Sequence, residues 1–336
     1  MNTEQNKNDG DSAFSPDTPG RYGQPDESVP GQKEFEPECL AEEKSESVQS
    51  GSSTDQKKKD SDTAKEYSPD SKSFETVEKE KPTLSDWCRA SRPQYYIATL
   101  IPLALGFTLA GKDTGFWRWS MFLLILFTSF LIHLATNLVN DFFDFCAGVD
   151  TQDTLGGSGV LTEGRLTLRH YKLALIVLYG LSALLAPFII IPSGQPILWL
   201  FGVFAFFSSF FYTAPPIRYG YRALGEVMVF LNMGVIMVCG SYMALARTFE
   251  LYTVGFGIVV GLMVAGILYF QSLPEIQTDG AAGKMTLAVR LGMDRAFFLF
   301  QIWWPVVWLL VLMLWIDGKA AWPALLSFLA FPFFRL

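Results

Sequence analysis

The sequence has few charged residues, few histidines and few cysteines, and each shortage excludes a class of protein. Charged residues make up 18% of the 336 residues, whereas soluble proteins carry about 25%, so an ordinary soluble enzyme is excluded. The chain has two histidines and four cysteines, and the cysteines have no CxxC or metal-finger spacing. We therefore expect neither a zinc site nor a disulfide. Because the net charge is −7 and the chain has no dense patch of Lys and Arg, we expect no nucleic-acid partner.

The charge is divided unevenly between two parts of the chain. Residues 1–82 contain 20 acidic and 11 basic residues, whereas residues 83–336 contain 13 acidic and 15 basic residues. The first part has few large apolar side chains, so it cannot bury enough surface to offset the entropy of ordering it. It also lacks the apolar run of a secretory signal. We therefore predict a disordered acidic cytoplasmic tail at 1–82 and a transmembrane domain at 83–336.

Long apolar segments fill the second part of the chain. A membrane-spanning helix needs about 20 predominantly apolar residues. The apolar runs are unbroken rather than alternating, so they predict helices and not a barrel. Eight spans are predicted, at 94–111, 120–145, 172–192, 196–213, 224–246, 252–272, 296–316 and 320–335. The predicted fold class is all-α, a polytopic transmembrane helical bundle embedded in membrane lipid.

The basic residues between the spans predict the orientation of the bundle. With the N-terminus in the cytoplasm, 11 Lys and Arg residues of the domain fall on the cytoplasmic side and four on the other side, as the positive-inside rule requires. The two longest loops, 146–171 and 273–295, then lie in the cytoplasm. We expect an integral protein of a bacterial inner membrane whose active site faces the cytoplasm.

The second predicted span ends in the polar motif NLVNDFFDFCAGVD, residues 137–150. On a helix, Asn137, Asn140, Asp141 and Asp144 fall within an arc of about 100°. A helix that simply ends in a polar loop explains one aspartate but not four polar groups on one face. Because carboxylates at membrane depth are costly and usually face an interior cavity, the motif predicts a functional site.

The sixth predicted span ends in a similar motif, YFQSLPEIQTDGAAGKMTLAVRLG, residues 269–292. Gln271, Glu275 and Asp279 are spaced four residues apart, which places them on one helix face, and Pro274 predicts a kink between them. Two oxygen-rich motifs at the mouth of one cavity suit a hard divalent cation, above all Mg²⁺. The sequence therefore predicts that the two motifs bind Mg²⁺ together.

Basic residues follow each acidic motif. Arg165, Arg169 and Lys172 follow the first motif, and Lys284 and Arg290 follow the acidic residues of the second. Acidic residues for a metal, basic residues for phosphate and an apolar bundle behind them are typical of a site for a lipid diphosphate. Taken singly, each arginine is better explained as a marker of topology than as a ligand, and only the position of these residues directly after the acidic motifs favours a functional role.

A third unusual segment is FYTAPPIRYGYRALGE, residues 211–226, in which two prolines interrupt the helical pattern. Tyr212, Tyr219 and Tyr221 cluster there beside Arg218. The tyrosines fit two interpretations equally well. They form either an aromatic belt at the membrane surface or a wall of the site against which an acceptor ring packs.

On these stretches the chain resembles the UbiA superfamily of intramembrane prenyltransferases, and within it the 1,4-dihydroxy-2-naphthoate polyprenyltransferases. The stretches that carry the resemblance are RASRP at 89–93, the first acidic motif, GVLTEGRLT at 159–167, YTAPPIRYGYRALGE at 212–226 and TDGAAGKMTLAVRLG at 278–292. They occur in family order across residues 87–316.

The resemblance implies an enzyme that transfers a polyprenyl group from polyprenyl diphosphate to an aromatic acceptor, 1,4-dihydroxy-2-naphthoate, in menaquinone biosynthesis. It implies Mg²⁺ as cofactor. The implied metal ligands are Asn140, Asp141, Asp144, Asp150, Glu275 and Asp279, of which Asp141, Asp144 and Asp279 are the implied catalytic residues. The implied substrate-binding residues are Arg165, Lys284, Arg290, Tyr212 and Arg218.

The chain departs from the family pattern in three respects. Glu275 stands where Asp is usual, Gly159 stands where the naphthoate enzymes commonly have Arg, and eight spans are predicted where the family generally has nine. Two alternatives therefore stay open: the same reaction with another acceptor, such as 4-hydroxybenzoate or homogentisate, and an ion-coupled transporter. The sequence leaves the length of the prenyl chain and the oligomeric state undetermined.

Overall fold

The structure, a computed structural model, describes residues 81–150 and 157–334. The predicted tail at 1–82 lies outside these residues except for its last two, so its disorder and the domain boundary stay predictions. The regular elements of the described chain are all helices. The predicted fold class, an all-α transmembrane bundle, is confirmed.

The described residues form ten α-helices. They are α1 (Leu84–Ser91), α2 (Ile97–Thr114), α3 (Trp119–Cys146), α4 (Leu168–Ser193), α5 (Ile197–Phe210), α6 (Gly225–Ala246), α7 (Tyr252–Ser272), α8 (Ile276–Ala281), α9 (Leu287–Leu291) and α10 (Met293–Ile316). Within α6, Phe230–Ile236 is π-helical. Three 3₁₀ segments, Pro93–Tyr95, Tyr219–Arg222 and Trp322–Phe334, complete the regular structure of these residues.

Five of these helices, α3, α4, α6, α7 and α10, are long and apolar enough to cross a membrane. The segments Leu84–Tyr95 and Ile97–Thr114 meet at a bend of 54° and count as a sixth span if taken together. Two predicted spans form shorter elements: α5 has 14 residues, and Trp322–Phe334 has 13. At 1.5 Å per residue α5 is about 21 Å long, less than the roughly 30 Å of a bilayer core. Apolar composition predicted where these helices lie but not where they end.

Glycines bring α6 and α7 into backbone contact. A Cβ atom added at Gly234 of α6 would lie 2.3 Å from the Cα atom of Gly261 and 2.5 Å from the carbonyl oxygen of Gly257, both on α7. Small residues at a membrane helix interface allow this close approach, which increases van der Waals contact. The contact holds α7, which precedes the second acidic motif, against α6.

The end of α3 is fixed by a buried cluster of its own. Leu138, Val139 and Phe142 of α3 pack with Val160 of the following loop and Tyr171 of α4. Val139, Val160 and Tyr171 are fully buried. The apolar residues of the first acidic motif therefore anchor the end of α3 and fix the positions of its polar residues.

The cysteines differ from the sequence prediction in one respect. Cys88 and Cys239 are free thiols, the first exposed and the second buried. Cys146, at the end of α3, is disulfide-bonded, so the prediction that the chain has no disulfide was wrong. Spacing along the chain does not reveal which thiols meet in space.

Candidate active site

The polar residues predicted to share one face of α3 do so. Asn137 and Asn140 line a cavity inside the bundle, and the Asn137 Nδ2 atom donates a 2.9 Å hydrogen bond to the carbonyl oxygen of Ser91. Asp141 and Asp144 are 2% and 1% exposed. The two aspartates do not reach the cavity surface themselves, since basic side chains that do line the cavity hold their carboxylates.

Asp141 is held by one cation and one hydroxyl. The Arg92 guanidinium forms an ion pair with its Oδ1 atom, and the Tyr171 hydroxyl donates a hydrogen bond of 3.2 Å to its Oδ2 atom. Arg92 lies at the break between α1 and Pro93–Tyr95 in the left-handed conformation, with φ 51°. This turn carries its side chain inward to α3, where the ion pair compensates a buried negative charge.

Asp144 joins the two acidic motifs through a lysine. The Lys284 Nζ atom lies 3.1 Å from Asp144 Oδ2 and 3.9 Å from Asp279 Oδ1. The Tyr221 hydroxyl donates a 2.5 Å hydrogen bond to Asp144 Oδ1. Burial alone would lower the pKa of Lys284, but the charges of Asp144 and Asp279 raise it above its ordinary value. Lys284 is therefore a positive charge fixed between the two motifs.

The second motif is interrupted more strongly than the predicted kink. Helix α7 ends at Ser272, and a separate short helix, α8, begins at Ile276 after Pro274 and Glu275. Glu275 and Asp279 both line the cavity. Burial raises the pKa of Glu275, and it raises the pKa of Asp279 to about 6 although the Lys284 ammonium opposes the shift.

Asp150 lies in the loop that follows α3. A Cβ atom added at Gly157 would lie 2.7 Å from its Oδ2 atom, so the backbone at Gly157 packs closely against this carboxyl group. Burial, followed by the negative charges of Asp144 and Asp141, raises the pKa of Asp150 to about 7. The first motif thus contributes three carboxyl groups that influence one another.

The cavity has a volume of about 850 Å³. One part of its wall is polar and carries Arg92, Asn140, Glu275, Asp279 and Lys284. Much of the remaining wall is apolar, formed by residues such as Ile125, Ala186, Ile190, Leu198 and Phe206. A ligand that combines an anionic head with a hydrocarbon tail matches this division.

The other predicted substrate-binding residues occupy different places. Tyr212 lines the cavity, and its ring packs edge-on against Tyr219 at 5.2 Å between centroids. Arg218 lies over the ring of Tyr221, 5.1 Å from its centroid, and so adjoins the partner of Asp144. Arg165 and Arg290 are exposed and do not reach the cavity wall, so their contact with substrate stays a prediction.

Sequence reasoning missed Arg92 and Tyr171 as site residues. Arg92 counted only as a marker of orientation, although it lies in the stretch RASRP directly before a proline. A basic residue beside a helix break at the end of a predicted span is the signal that pointed to it. Tyr171 had no such signal, because its neighbour Asp141 lies 30 residues earlier in the chain.

The cavity wall carries oxygen donors of the kind that a hard divalent cation binds, from Asn140, Glu275 and Asp279. Across 81–150 and 157–334, no three His, Cys, Asp or Glu side chains are grouped so that they could hold a metal ion as they stand. The Lys284 ammonium instead contacts both Asp144 and Asp279, so a cation is already stabilised between the motifs. The Asn140 Oδ1 atom is buried, lines the same wall and accepts no hydrogen bond from the described residues. It is an oxygen ligand without a partner.

Comparison with known sequences identifies relatives of the chain. The sequence model of the UbiA prenyltransferase family matches residues 99–336. The chain is 28% identical over 260 residues to a 1,4-dihydroxy-2-naphthoate octaprenyltransferase of Haemophilus influenzae, covering 74% of this chain and 83% of that protein. It is 29% identical over 206 residues to a 2-carboxy-1,4-naphthoquinone phytyltransferase of Synechocystis, covering 61% of this chain and 66% of that protein.

A solved structure shares the fold. A UbiA homologue from Archaeoglobus fulgidus, solved with DMAPP and Mg²⁺, superposes with a TM-score of 0.57 at 17% identity. The superposition covers 74% of this chain and 84% of that chain. At this identity the likeness shows the fold of the bundle.

Proposed function

The chain belongs to the UbiA prenyltransferase family, and from this premise we propose that it transfers a polyprenyl group from polyprenyl diphosphate to 1,4-dihydroxy-2-naphthoate. The proposed reaction depends on Mg²⁺ and belongs to menaquinone biosynthesis. The family assignment rests on the match over residues 99–336. The naphthoate acceptor is supported by the names of relatives such as the Haemophilus influenzae and Bacillus subtilis enzymes.

One observation carries the proposal. Both acidic motifs meet around Lys284 at the polar part of a cavity whose remaining wall is largely apolar. A prenyl diphosphate has the matching division between an anionic head and a hydrocarbon chain. A transporter of a small ion would have no use for an apolar cavity of about 850 Å³, so the enzyme is the better explanation.

Asn140, Asp144, Glu275 and Asp279 are the residues that would hold Mg²⁺, with Asp141 and Asp150 completing the first motif. When bound, Mg²⁺ neutralises negative charge on the diphosphate as it departs. Lys284, on the same part of the wall, would donate hydrogen bonds to the diphosphate as its charge grows. Arg92 compensates the charge of Asp141 and keeps that carboxylate in place.

The tyrosines and the apolar residues of the cavity wall determine what reaches the allylic carbon of the donor. The allylic C–O bond of the donor breaks with its electron pair leaving on the diphosphate. The ring carbon that bears the carboxylate attacks the allylic carbon, and the electron pair of its bond to the carboxylate returns to the ring. The acceptor then loses its carboxylate as CO₂. Tyr212 and Tyr219 pack against the acceptor ring, and the apolar wall excludes water that would otherwise consume the cation.

The proposal is tested with membranes that contain the protein, supplied with polyprenyl diphosphate, the naphthoate kept in its reduced form, and Mg²⁺. Mass analysis should detect prenylated naphthoquinol, and chelation of Mg²⁺ with EDTA should abolish it. Asp144→Asn and Asp279→Asn should each lower the rate at least 100-fold, because each removes an anionic oxygen ligand. Full activity in both variants, or no product from the unaltered protein, would overturn the proposal.

A second candidate function keeps the reaction and changes the acceptor to 4-hydroxybenzoate, homogentisate or another hydroxylated ring. Gly159 supports it. The residue has φ +76°, and a Cβ atom there would lie 3.1 Å from Glu163 and 3.2 Å from Arg89. An arginine at this position, which the naphthoate enzymes commonly have, would therefore be strained. A panel of acceptors with one labelled donor decides between the two candidates.

We also propose that the N-terminus and the site face the cytoplasm of a bacterial cell. Cys88 precedes α2 and is an exposed free thiol. A membrane-impermeant maleimide should label it in inside-out vesicles and not in intact cells, with Cys88→Ser as the control. Labelling of Cys88 in intact cells would place the active site on the opposite side.

A further inference from the structure

The cavity wall contains an acidic residue that neither motif accounts for. Glu226 is 6% exposed and lines the cavity. It stands in the first turn of α6, directly after Gly225. A Cβ atom added at Gly225 would lie 3.2 Å from the Tyr212 hydroxyl. Glu226 therefore follows directly on a residue that packs against Tyr212, one of the two tyrosines proposed to contact the acceptor ring.

The carboxyl group of Glu226 has no partner among the described residues except its own backbone amide. Among the residues that the structure describes, no Lys, Arg or His forms an ion pair with it, and no other side chain donates to it. A buried carboxyl group without such a partner is costly. A bound ligand that supplies a donor would remove this cost.

The chemistry of the two substrates decides which of them can supply that donor. A prenyl diphosphate carries hydrocarbon and anionic oxygens, so it offers a carboxylate no donor and is repelled by it. A carboxylate on the acceptor is repelled for the same reason. A hydroxyl on the acceptor ring is a donor and carries no charge. It is the complementary group.

We propose that Glu226 accepts a hydrogen bond from a ring hydroxyl of the acceptor and makes the site select hydroxylated aromatic rings. The inference rests on the proposed function, since it assigns a group within the same cavity. Glu226 is here a binding residue that fixes the orientation of the ring against Tyr212 and Tyr219. The nearby side chains of Ser208 and Asn232 are less suitable, because they already bond to each other at 3.0 Å.

The test compares binding of two ligands that differ only at the hydroxyl positions. Reduced 1,4-dihydroxy-2-naphthoate and its dimethyl ether are titrated against the full chain in lipid nanodiscs by calorimetry, which needs no turnover. The unaltered protein should bind the dihydroxy compound about 10- to 100-fold more tightly, the range of a hydrogen bond to a charged group. Glu226→Leu should remove this preference, and Glu226→Gln should reduce it, since the amide oxygen still accepts.

Ser241→Ala is the matched control. Ser241 also lines the cavity, but its hydroxyl already bonds to the carbonyl oxygen of Leu103 at 3.0 Å, so the preference should be unchanged. In the turnover assay, Glu226→Gln should raise KM for the acceptor and leave KM for the prenyl diphosphate unchanged. If Glu226 had a purely structural role, its replacement would not change the ratio of the affinities for the two ligands.

Two results would overturn the inference. The first is that the unaltered protein binds both ligands equally, and the second is that the ratio of the two affinities is unchanged in the Glu226 variants. If Glu226→Leu does not fold, the ratio in Glu226→Gln decides alone. If the unaltered protein prefers the dihydroxy compound but forms no prenylated product, the proposed function fails while the role of Glu226 stands. The two failures are therefore separable.

Discussion

The Lys284 Nζ atom lies 3.1 Å from the Oδ2 atom of Asp144, although 140 residues separate the two in the sequence. The same ammonium is 3.9 Å from Asp279, so one basic side chain connects the two acidic motifs. Its position is where the negative charge of the motifs is most concentrated, and where the proposed diphosphate would arrive. Lys284 thus holds the two motifs together and offers a donor to substrate.

Replacing Lys284 tests this dual position. Lys284→Met should raise KM for the prenyl diphosphate about 10- to 100-fold, because it removes a charged hydrogen-bond donor worth about 1.5–3 kcal/mol. Steady-state kinetics with varied donor measures the change. Lys319→Met is the control, since Lys319 follows α10 at the opposite end and contacts the Tyr252 ring. An unchanged KM in Lys284→Met would remove Lys284 from the donor site.

The ion pair between Arg92 and Asp141 should contribute to stability. Arg92→Met leaves a buried carboxylate without its cation and should destabilise the protein by about 3–5 kcal/mol. Asp141→Asn in the same chain should recover part of the loss, because the stranded charge is then gone. Unfolding of all four proteins in SDS titrations gives the coupling energy. Additive effects would mean that the two residues do not interact.

The backbone contact between α6 and α7 should not tolerate an added methyl group. In Gly234→Ala the new Cβ atom would meet backbone atoms of α7 at 2.3–2.6 Å, and backbone cannot move aside as a flexible side chain can. We expect a loss of about 1–3 kcal/mol or more. Gly180→Ala on α4 is the matched control, since no atom lies within 4 Å of its Cβ position. It should be neutral or slightly stabilising. Thermal unfolding in detergent compares the two.

Asp150 should make stability depend on pH in a defined direction. Its pKa is about 7 in the folded protein, above the roughly 3.9 of an unfolded chain, so the folded state binds the proton more tightly. The carboxyl group therefore destabilises the fold increasingly as pH rises from about 4 to about 7, and by a constant amount above that. Asp150→Asn should raise the unfolding temperature at pH 8 and have little effect at pH 4, measured in EDTA. The opposite trend would contradict the raised pKa.

The spans and the acidic motifs were predictable because they depend on local sequence. Apolar runs predict helices in lipid wherever they occur, and Asn140 and Asp144 share a face through helical geometry alone. The break at Pro274 was underestimated, since a proline predicts a disturbance but not whether α7 bends or ends. The short length of α5 was also missed, because apolar residues continue into the loop that follows it.

By itself the sequence determined the helical bundle and the two oxygen-rich motifs at the ends of its spans. These features follow from the cost of unpaired polar groups in lipid, which every span experiences separately. Only the tertiary structure decided which charges meet, Arg92 with Asp141 and Lys284 with Asp144. It also decided that Glu226 meets no described side chain and bonds only to its own backbone amide. Such pairings depend on how distant helices pack, and that arrangement is a property of the whole bundle rather than of any single segment.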